Sequence, residues 1–226
     1  MEKAIIQQTF DKAAGDYDRI KVQIIPKYRE MERLIQEYIS FPRNRRVGIL
    51  ELGTGTGKWA SGMLNKYPKA HYYGIDFSGN MLDAATEKLK KFGDRYNLQN
   101  LDLNEEQPTG KYDLIHSAFT LHHVREKKRL FKVLFSLLKR GGCFLYMDIT
   151  IAKGQDQEAM FMKRWKDFMT NSSWPNNRIK TIIDDHLKND MPETVENQLR
   201  CLGDAGFKSY DVIWRYDKFA VFLASK

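Results

Sequence analysis

Residues 45–59 read RRVGILELGTGTGKW, and the fold is decided there. Val47–Leu52 is a short apolar run of the kind that forms a strand buried on both faces. It leads straight into Gly53-Thr-Gly55-Thr-Gly57. Glycine lets the backbone turn sharply at that point and lets a ligand approach the main chain. A helix is expected from about Lys58 to Tyr67, with its free N–H groups facing whatever the loop holds.

Outward from this loop, strands alternate with helices. His71–Phe77 is the next strand, and Ser78 is a suitable N-cap for a helix over Gly79–Phe92 that Gly93 closes. A weak strand near Asn97–Leu103 follows, then a strand over Tyr112–Phe119 and a helix over Glu126–Lys139 ended by Gly141-Gly142. Cys143–Thr150 is another strand. This rhythm predicts an α/β fold whose sheet is mostly parallel and covered by helices on both faces. Before the loop, periodicity marks a helix from Lys3 to about Ala14, and a second helix starts at Pro26 and stops at Pro42.

The end of the chain departs from the rhythm. A helix over Pro192–Ala205 stops at Gly206, and strands Tyr210–Arg215 and Phe219–Ser225 follow with only a few residues between them. That connection is too short for a parallel crossover, so the last two strands should pair antiparallel. Residues 153–190 read as a helical insertion, with Phe161, Met162, Trp165, Phe168 and Met169 on one face. Such a stripe packs into a core, meets a second copy, or roofs a pocket.

Composition narrows the class of protein. The 226 residues are 42% hydrophobic, which suits one large α/β domain over 1–226. No apolar run reaches the length of a membrane span, and the start of the chain lacks a signal-peptide core, so a cytoplasmic protein is expected. Two cysteines, Cys143 and Cys201, are too few for a disulfide framework or a structural zinc site. The formal net charge is +8, with basic stretches such as Arg43–Arg46, Lys88–Lys91 and Lys127–Arg129. These runs could meet a phosphate backbone, but no stacking aromatics accompany them, and solvated helix faces explain them as well.

Three ligands compete for the glycine loop. A P-loop needs Ser or Thr after its lysine, and Lys58 is followed by Trp59. A dinucleotide site is a closer fit, because Gly55-Thr-Gly57-Lys-Trp-Ala60 satisfies G-x-G-x-x-A. Glu51 separates the remaining two, since a carboxylate two residues before Gly53 crowds a pyrophosphate but helps a ligand with an ammonium and a sulfonium. Asp76, nineteen positions after Gly57 at the end of the next strand, is placed to accept hydrogen bonds from ribose hydroxyls.

With these residues in place, the chain resembles the class I S-adenosylmethionine-dependent methyltransferases over nearly its whole length. The resemblance implies a Rossmann-like, doubly wound, seven-stranded sheet with an antiparallel C-terminal strand, and S-adenosyl-L-methionine as cofactor. It places Glu51, Gly53, Gly55 and Gly57 of ILELGTGTG at the methionine end of the cofactor. Asp76 of YYGIDFSGNML would bind the ribose, with Phe77 and Met81 flanking the adenine. Asp102 and Leu103 of NLQNLDLNEE would meet the adenine. Ser117 and Ala118 of KYDLIHSAFTLHHV would line the cofactor beside the methyl group. The start (FDKAAGDYDRI) and the end of the chain resemble small-molecule and tRNA-modifying members, among them the enzyme that makes carboxy-S-adenosylmethionine. It also implies that Tyr17 lies over the methionine end, as part of an N-terminal helical lid over 1–42, with 153–190 roofing the acceptor.

Methyl transfer is an in-line displacement at a sulfonium, so the protein chiefly aligns the nucleophile and excludes water. A base is needed only for a protonated nucleophile. Tyr17, His122 and His123 are the catalytic candidates, the histidines because they follow the fourth strand and titrate near neutrality. Adjacent residues point different ways, which argues against both histidines ligating one metal, and no metal is expected. His71, His116 and His186 carry no particular signal. The leading expectation is methyl transfer to a small-molecule acceptor by a monomer or homodimer. The alternatives are a tRNA-modifying or S-adenosylmethionine-derivative enzyme, a nicotinamide-binding oxidoreductase, and a non-catalytic cofactor sensor.

Overall fold

The computed structural model describes residues 17–226; the helix expected over Lys3–Ala14 and the Tyr17 side chain lie outside the described part. Helices α1 (Tyr17–Ile24) and α2 (Tyr28–Tyr38) lead into β1 (Gly48–Leu52) and α3 (Lys58–Lys66). Next come β2 (His71–Asp76), α4 (Gly79–Leu89), β3 (Tyr96–Asn100), β4 (Tyr112–Ala118) and α5 (Lys127–Leu137). The chain continues through β5 (Leu138–Ile149), α6 (Gln155–Asn171), α7 (Asn176–Asn189) and α8 (Val195–Ala205), and ends with β6 (Ser209–Tyr216) and β7 (Phe219–Ser225).

The seven strands form one sheet in the order β3-β2-β1-β4-β5-β7-β6. β1 to β5 are mutually parallel, while β7 runs antiparallel to both β5 and β6. Strand order reverses between β1 and β4, which opens a crevice at the carboxyl ends of those strands. Leu52, Asp76, Ala118 and Ile149 close the strands at that edge. The central strands bury side chains on both faces because helices cover both. One apolar cluster packs α2 and α3 on the sheet, and a second packs α5 and α8 on its other face.

Several boundaries differ from the sequence reading, three of them for a clear local reason. Lys27 takes a left-handed φ of 60°, so α2 begins at Tyr28 and not at Pro26. Helix α5 stops at Leu137, and β5 passes through Gly141-Gly142 to pair with β4 across a register shift between Tyr112 and Leu114. The glycine pair therefore lies within a strand: a Cβ on Gly142 would lie 2.9 Å from the carbonyls of Asp113 and Lys139. Helix α4 ends at Leu89 and tightens into a 3-10 segment, Lys90–Arg95, across Gly93. Ser78 caps α4, its Oγ accepting from the Met81 N–H at 3.3 Å.

Residues 153–190 hold the two helices α6 and α7. Phe161, Trp165 and Met169 are buried, and the Trp165 indole N–H donates to the Ile24 carbonyl at 2.7 Å. Phe161 and Met169 pack into the core, and Trp165 fastens α6 to the end of α1. No described helix is long and apolar enough to cross a membrane.

Candidate active site

The glycine loop is held by its own backbone. Gly53, Gly55 and Gly57 all have positive φ (72°, 53° and 70°). The N–H groups of Gly53 and Thr54 both donate to the Ile75 carbonyl, tying the loop to the end of β2. Gly53 has no room for a side chain, because a Cβ there would lie 1.9 Å from Thr120 Oγ1. Asp76 completes the loop: Oδ2 accepts from the Gly55 N–H at 2.8 Å and Oδ1 from the Ser78 N–H at 3.0 Å. Burial raises the Asp76 carboxyl pKa, and these N–H groups oppose the rise.

Two cavities meet at Gly53. The larger, about 220 Å³, is lined by Asp76, Phe77, Asp102, Leu103 and His123 among others. Here the residues expected at the ribose and adenine come together, with Asp102 Oδ1 fixed by the Asn104 N–H at 2.9 Å. The smaller is lined by Asp18, Lys21, Glu51, Trp59, His116 and Ala118 among others. Met81 and Ser117 line neither: Met81 is buried in the core, and the Ser117 hydroxyl donates to the Leu52 carbonyl at 3.1 Å. Gly55 and Gly57 also line neither, and shape the loop instead.

The small cavity is chemically matched to an amino-acid zwitterion. Asp18 Oδ1, Trp59 Nε1 and His116 Nε2 are buried there without hydrogen-bond partners among the described residues. Two can accept from an ammonium and one can donate to a carboxylate, beside the Lys21 ammonium and the Glu51 carboxyl. Burial pushes the Glu51 pKa up to about 8, against hydrogen bonds from Tyr72 and Thr54. Glu51 therefore holds a proton near neutrality until a cation enters, a refinement of the charge expected from sequence. His116, whose Nδ1 bonds the Leu145 carbonyl at 2.8 Å and whose ring stacks on Trp59, is held neutral by burial, its pKa down at about 4. The fit to the methionine end of S-adenosylmethionine is good.

Residues 50–144 match the family model described as a methyltransferase domain. The carboxy-S-adenosyl-L-methionine synthase of Nautilia profundicola is 24% identical over 96% of this chain and 93% of its own. Malonyl-[acyl-carrier protein] O-methyltransferase 2 of Ilyobacter polytropus is 28% identical over 83% of this chain and 71% of its own. The domain match and these relatives support a class I S-adenosylmethionine-dependent methyltransferase. Solved structures agree on the fold. The DhpI complex with S-adenosylhomocysteine superposes with a TM-score of 0.62 at 18% identity, covering 96% of this chain and 93% of that one. The phosphoethanolamine N-methyltransferase 2 of Haemonchus contortus gives 0.68 at 16% identity, over 96% of this chain but only 58% of that longer one. This sets aside the nicotinamide reading of the G-x-G-x-x-A pattern.

On the other side of the methyltransferase's crevice lies an apolar cavity of about 480 Å³, lined by residues that include Ile24, Phe119, Ile149, Trp165, Trp174 and Phe219. Its polar corner holds His122, His123, His186 and Asp190. His122 Nδ1 is hydrogen-bonded to the buried carboxylate of Asp148. Burial disfavours the His122 cation, but Asp148 and Asp190 outweigh it and raise the pKa; His123 is shifted down by burial and by His122. The two adjacent rings do converge: their centroids are 4.1 Å apart, and both face Asp190. A short 3-10 turn, Leu121–His123, folds them together, contrary to the expectation that neighbours diverge.

Sequence reasoning missed Lys21, Trp59, His116, Asp148, His186 and Asp190. Only the last pair left a trace, His186 and Asp190 being four apart on a helix and bonded at 2.7 Å. Nothing local marks the others.

Proposed function

We propose that this methyltransferase moves the methyl group of S-adenosylmethionine to a small, largely apolar acceptor bearing one polar nucleophile. The observation that carries the reading is the junction of two cavities at His123, which lines both the cofactor cavity and the apolar one. S-adenosylmethionine supplies the electrophilic methyl; the chain binds, aligns and excludes water. Lys21 and Trp59 are assigned to its carboxylate, Glu51 and Asp18 to its ammonium, and Asp76 to the ribose. Phe77, Asp102 and Leu103 take the adenine. His122 and His123 set the protonation of the acceptor nucleophile where it enters from the apolar side.

The charge pattern supports a small acceptor over a tRNA nucleotide. Arg45, Lys88, Lys90 and Lys128 are ion-paired, and Lys127 is buried with its ammonium on the Val124 and Met191 carbonyls. Five of the nine cations in those runs are thus engaged within the chain, which weakens them as a track for a phosphate backbone. Incubation with methyl-labelled cofactor and cell extract tests this: label should enter a small apolar compound with S-adenosylhomocysteine as coproduct. Label found only in tRNA would overturn it.

A second reading rests on one observation, the end-to-end match to the Nautilia carboxy-S-adenosyl-L-methionine synthase. Mass spectrometry of the spent cofactor separates the two. A demethylated product supports the first reading, and a carboxylated cofactor supports the second.

A further inference from the structure

The polar corner of the apolar cavity holds more than a base requires. One imidazole is enough to take a proton, yet three imidazoles and two carboxylates gather here. Donor atoms of His122, His123 and Asp190 all lie within 4.8 Å of one another. His123 Nδ1 is 3.1 Å from Asp190 Oδ1, and His122 Nε2 is 3.8 Å from Asp190 Oδ2. Ligands around a tetrahedral zinc-sized ion stand about 3.3–3.5 Å apart, given metal–ligand bonds of about 2.0–2.2 Å.

The surroundings are those of a built site. Asp148 accepts from His122 Nδ1, which leaves Nε2 as the free face of the ring and orients it at the cluster, as carboxylates behind metal-ligating histidines do. His186 Nδ1 grips Asp190 Oδ2 at 2.7 Å in the same supporting role. Backbone staples hold the parts in register: the Met191 N–H donates to the His122 carbonyl at 2.7 Å, and Asn104 Nδ2 donates to the His123 carbonyl at 3.1 Å. A second observation points to a cation. Asp190 Oδ1, one of the atoms that face the cluster, is buried with no hydrogen-bond partner among the described residues, which is costly for a carboxylate.

We propose that His122 Nε2, His123 Nδ1 and Asp190 bind a divalent transition-metal ion at the wall between the two cavities. Two imidazoles and one carboxylate suit an ion of borderline softness such as zinc, not magnesium or calcium. Three protein ligands leave a position open, and all three residues line the apolar cavity, so that position faces the acceptor. An acceptor oxygen, from a hydroxyl or a carboxylate, is the group that would take it. Only this last clause rests on the small-acceptor reading; metal binding itself does not.

The test uses the purified full-length chain, freed of metal with a chelator and titrated with cobalt(II). Visible d–d absorption should saturate at one equivalent, zinc should abolish it, and excess magnesium should leave it unchanged. Asp190→Asn and His123→Gln should each weaken cobalt binding at least tenfold, and Asp148→Asn about tenfold. S-adenosylmethionine binding by calorimetry, run on every variant, identifies those that fold. Absence of the absorption in protein that still binds S-adenosylmethionine overturns the site, and so does absorption unaffected by both ligand variants. Methyl transfer with no cobalt or zinc bound overturns the ion's role at the acceptor and leaves the binding site to the cobalt titration. One-to-one cobalt binding without methyl transfer to any small molecule supports the site and overturns only the acceptor reading.

Discussion

The two halves of the crevice are built by different means. On the cofactor side, Glu51, the three glycines and Asp76 fall within one β-α-β passage held largely by main-chain N–H groups, and only the methionine end draws on distant residues, Asp18, Lys21 and His116. On the acceptor side, His122 and His123 come from a turn after β4, Asp148 from the end of β5, and His186 and Asp190 from α7 and the residue beyond it. There side chains hold side chains, and the staples are tertiary. The contrast teaches that a common ligand can be bound by a local, glycine-dependent backbone shape. A particular acceptor needs groups gathered from distant segments. Mutations should therefore separate cofactor affinity from turnover.

Among single substitutions, the largest effect is expected from Gly53→Ala. Its Cβ would strike Thr120 in a left-handed conformation, so stability should fall by about 2–3 kcal/mol in thermal or denaturant unfolding. Cofactor binding should be lost with it; an unchanged melting point would show that the loop is not fixed as described. Asp76→Ala should weaken S-adenosylmethionine binding by about 1–3 kcal/mol in calorimetry, the scale of hydrogen bonds to a charged group. Asp148→Asn should spare that affinity while lowering kcat about tenfold, the low end for removing an orienting partner. A change in cofactor Kd matching the change in kcat would erase the division between the halves.

A change of pH, not of side chain, tests Glu51 and sharpens the cofactor side. With its pKa raised from 4.5 to about 8, the folded chain binds a proton there that the unfolded chain has released. Stability of the cofactor-free protein should consequently fall as pH rises from about 4.5 through about 8 and then level off. Glu51→Gln should flatten that part of the profile in chemical denaturation at stepped pH. The same carboxyl must ionise when a cation binds, so affinity for S-adenosylmethionine should rise with pH toward 8 more steeply in the parent protein than in Glu51→Gln.

How much of this was legible beforehand follows the same division. The alternation of buried strands and helices, the antiparallel last pair and the glycine loop are consequences of residue order within short windows. Periodicity and backbone freedom act over a few residues, and a single chain displays them. The misread end of α5 has the same origin: a glycine pair looks like a helix stop locally, and only pairing with β4 makes it a bulged strand. Met81 holds the motif position expected beside the adenine, yet its side chain is buried in the core.

What the sequence by itself determined is the sheet, the loop and the family of cofactor, because each is specified by neighbours in the chain. Only the tertiary structure decided how the histidine cluster is assembled beside the apolar cavity. It brought Asp148 behind His122, folded His123 toward Asp190 and set Trp165 under α1. Those contacts span dozens of residues, and their energies come from burial and charge pairing that no local pattern records.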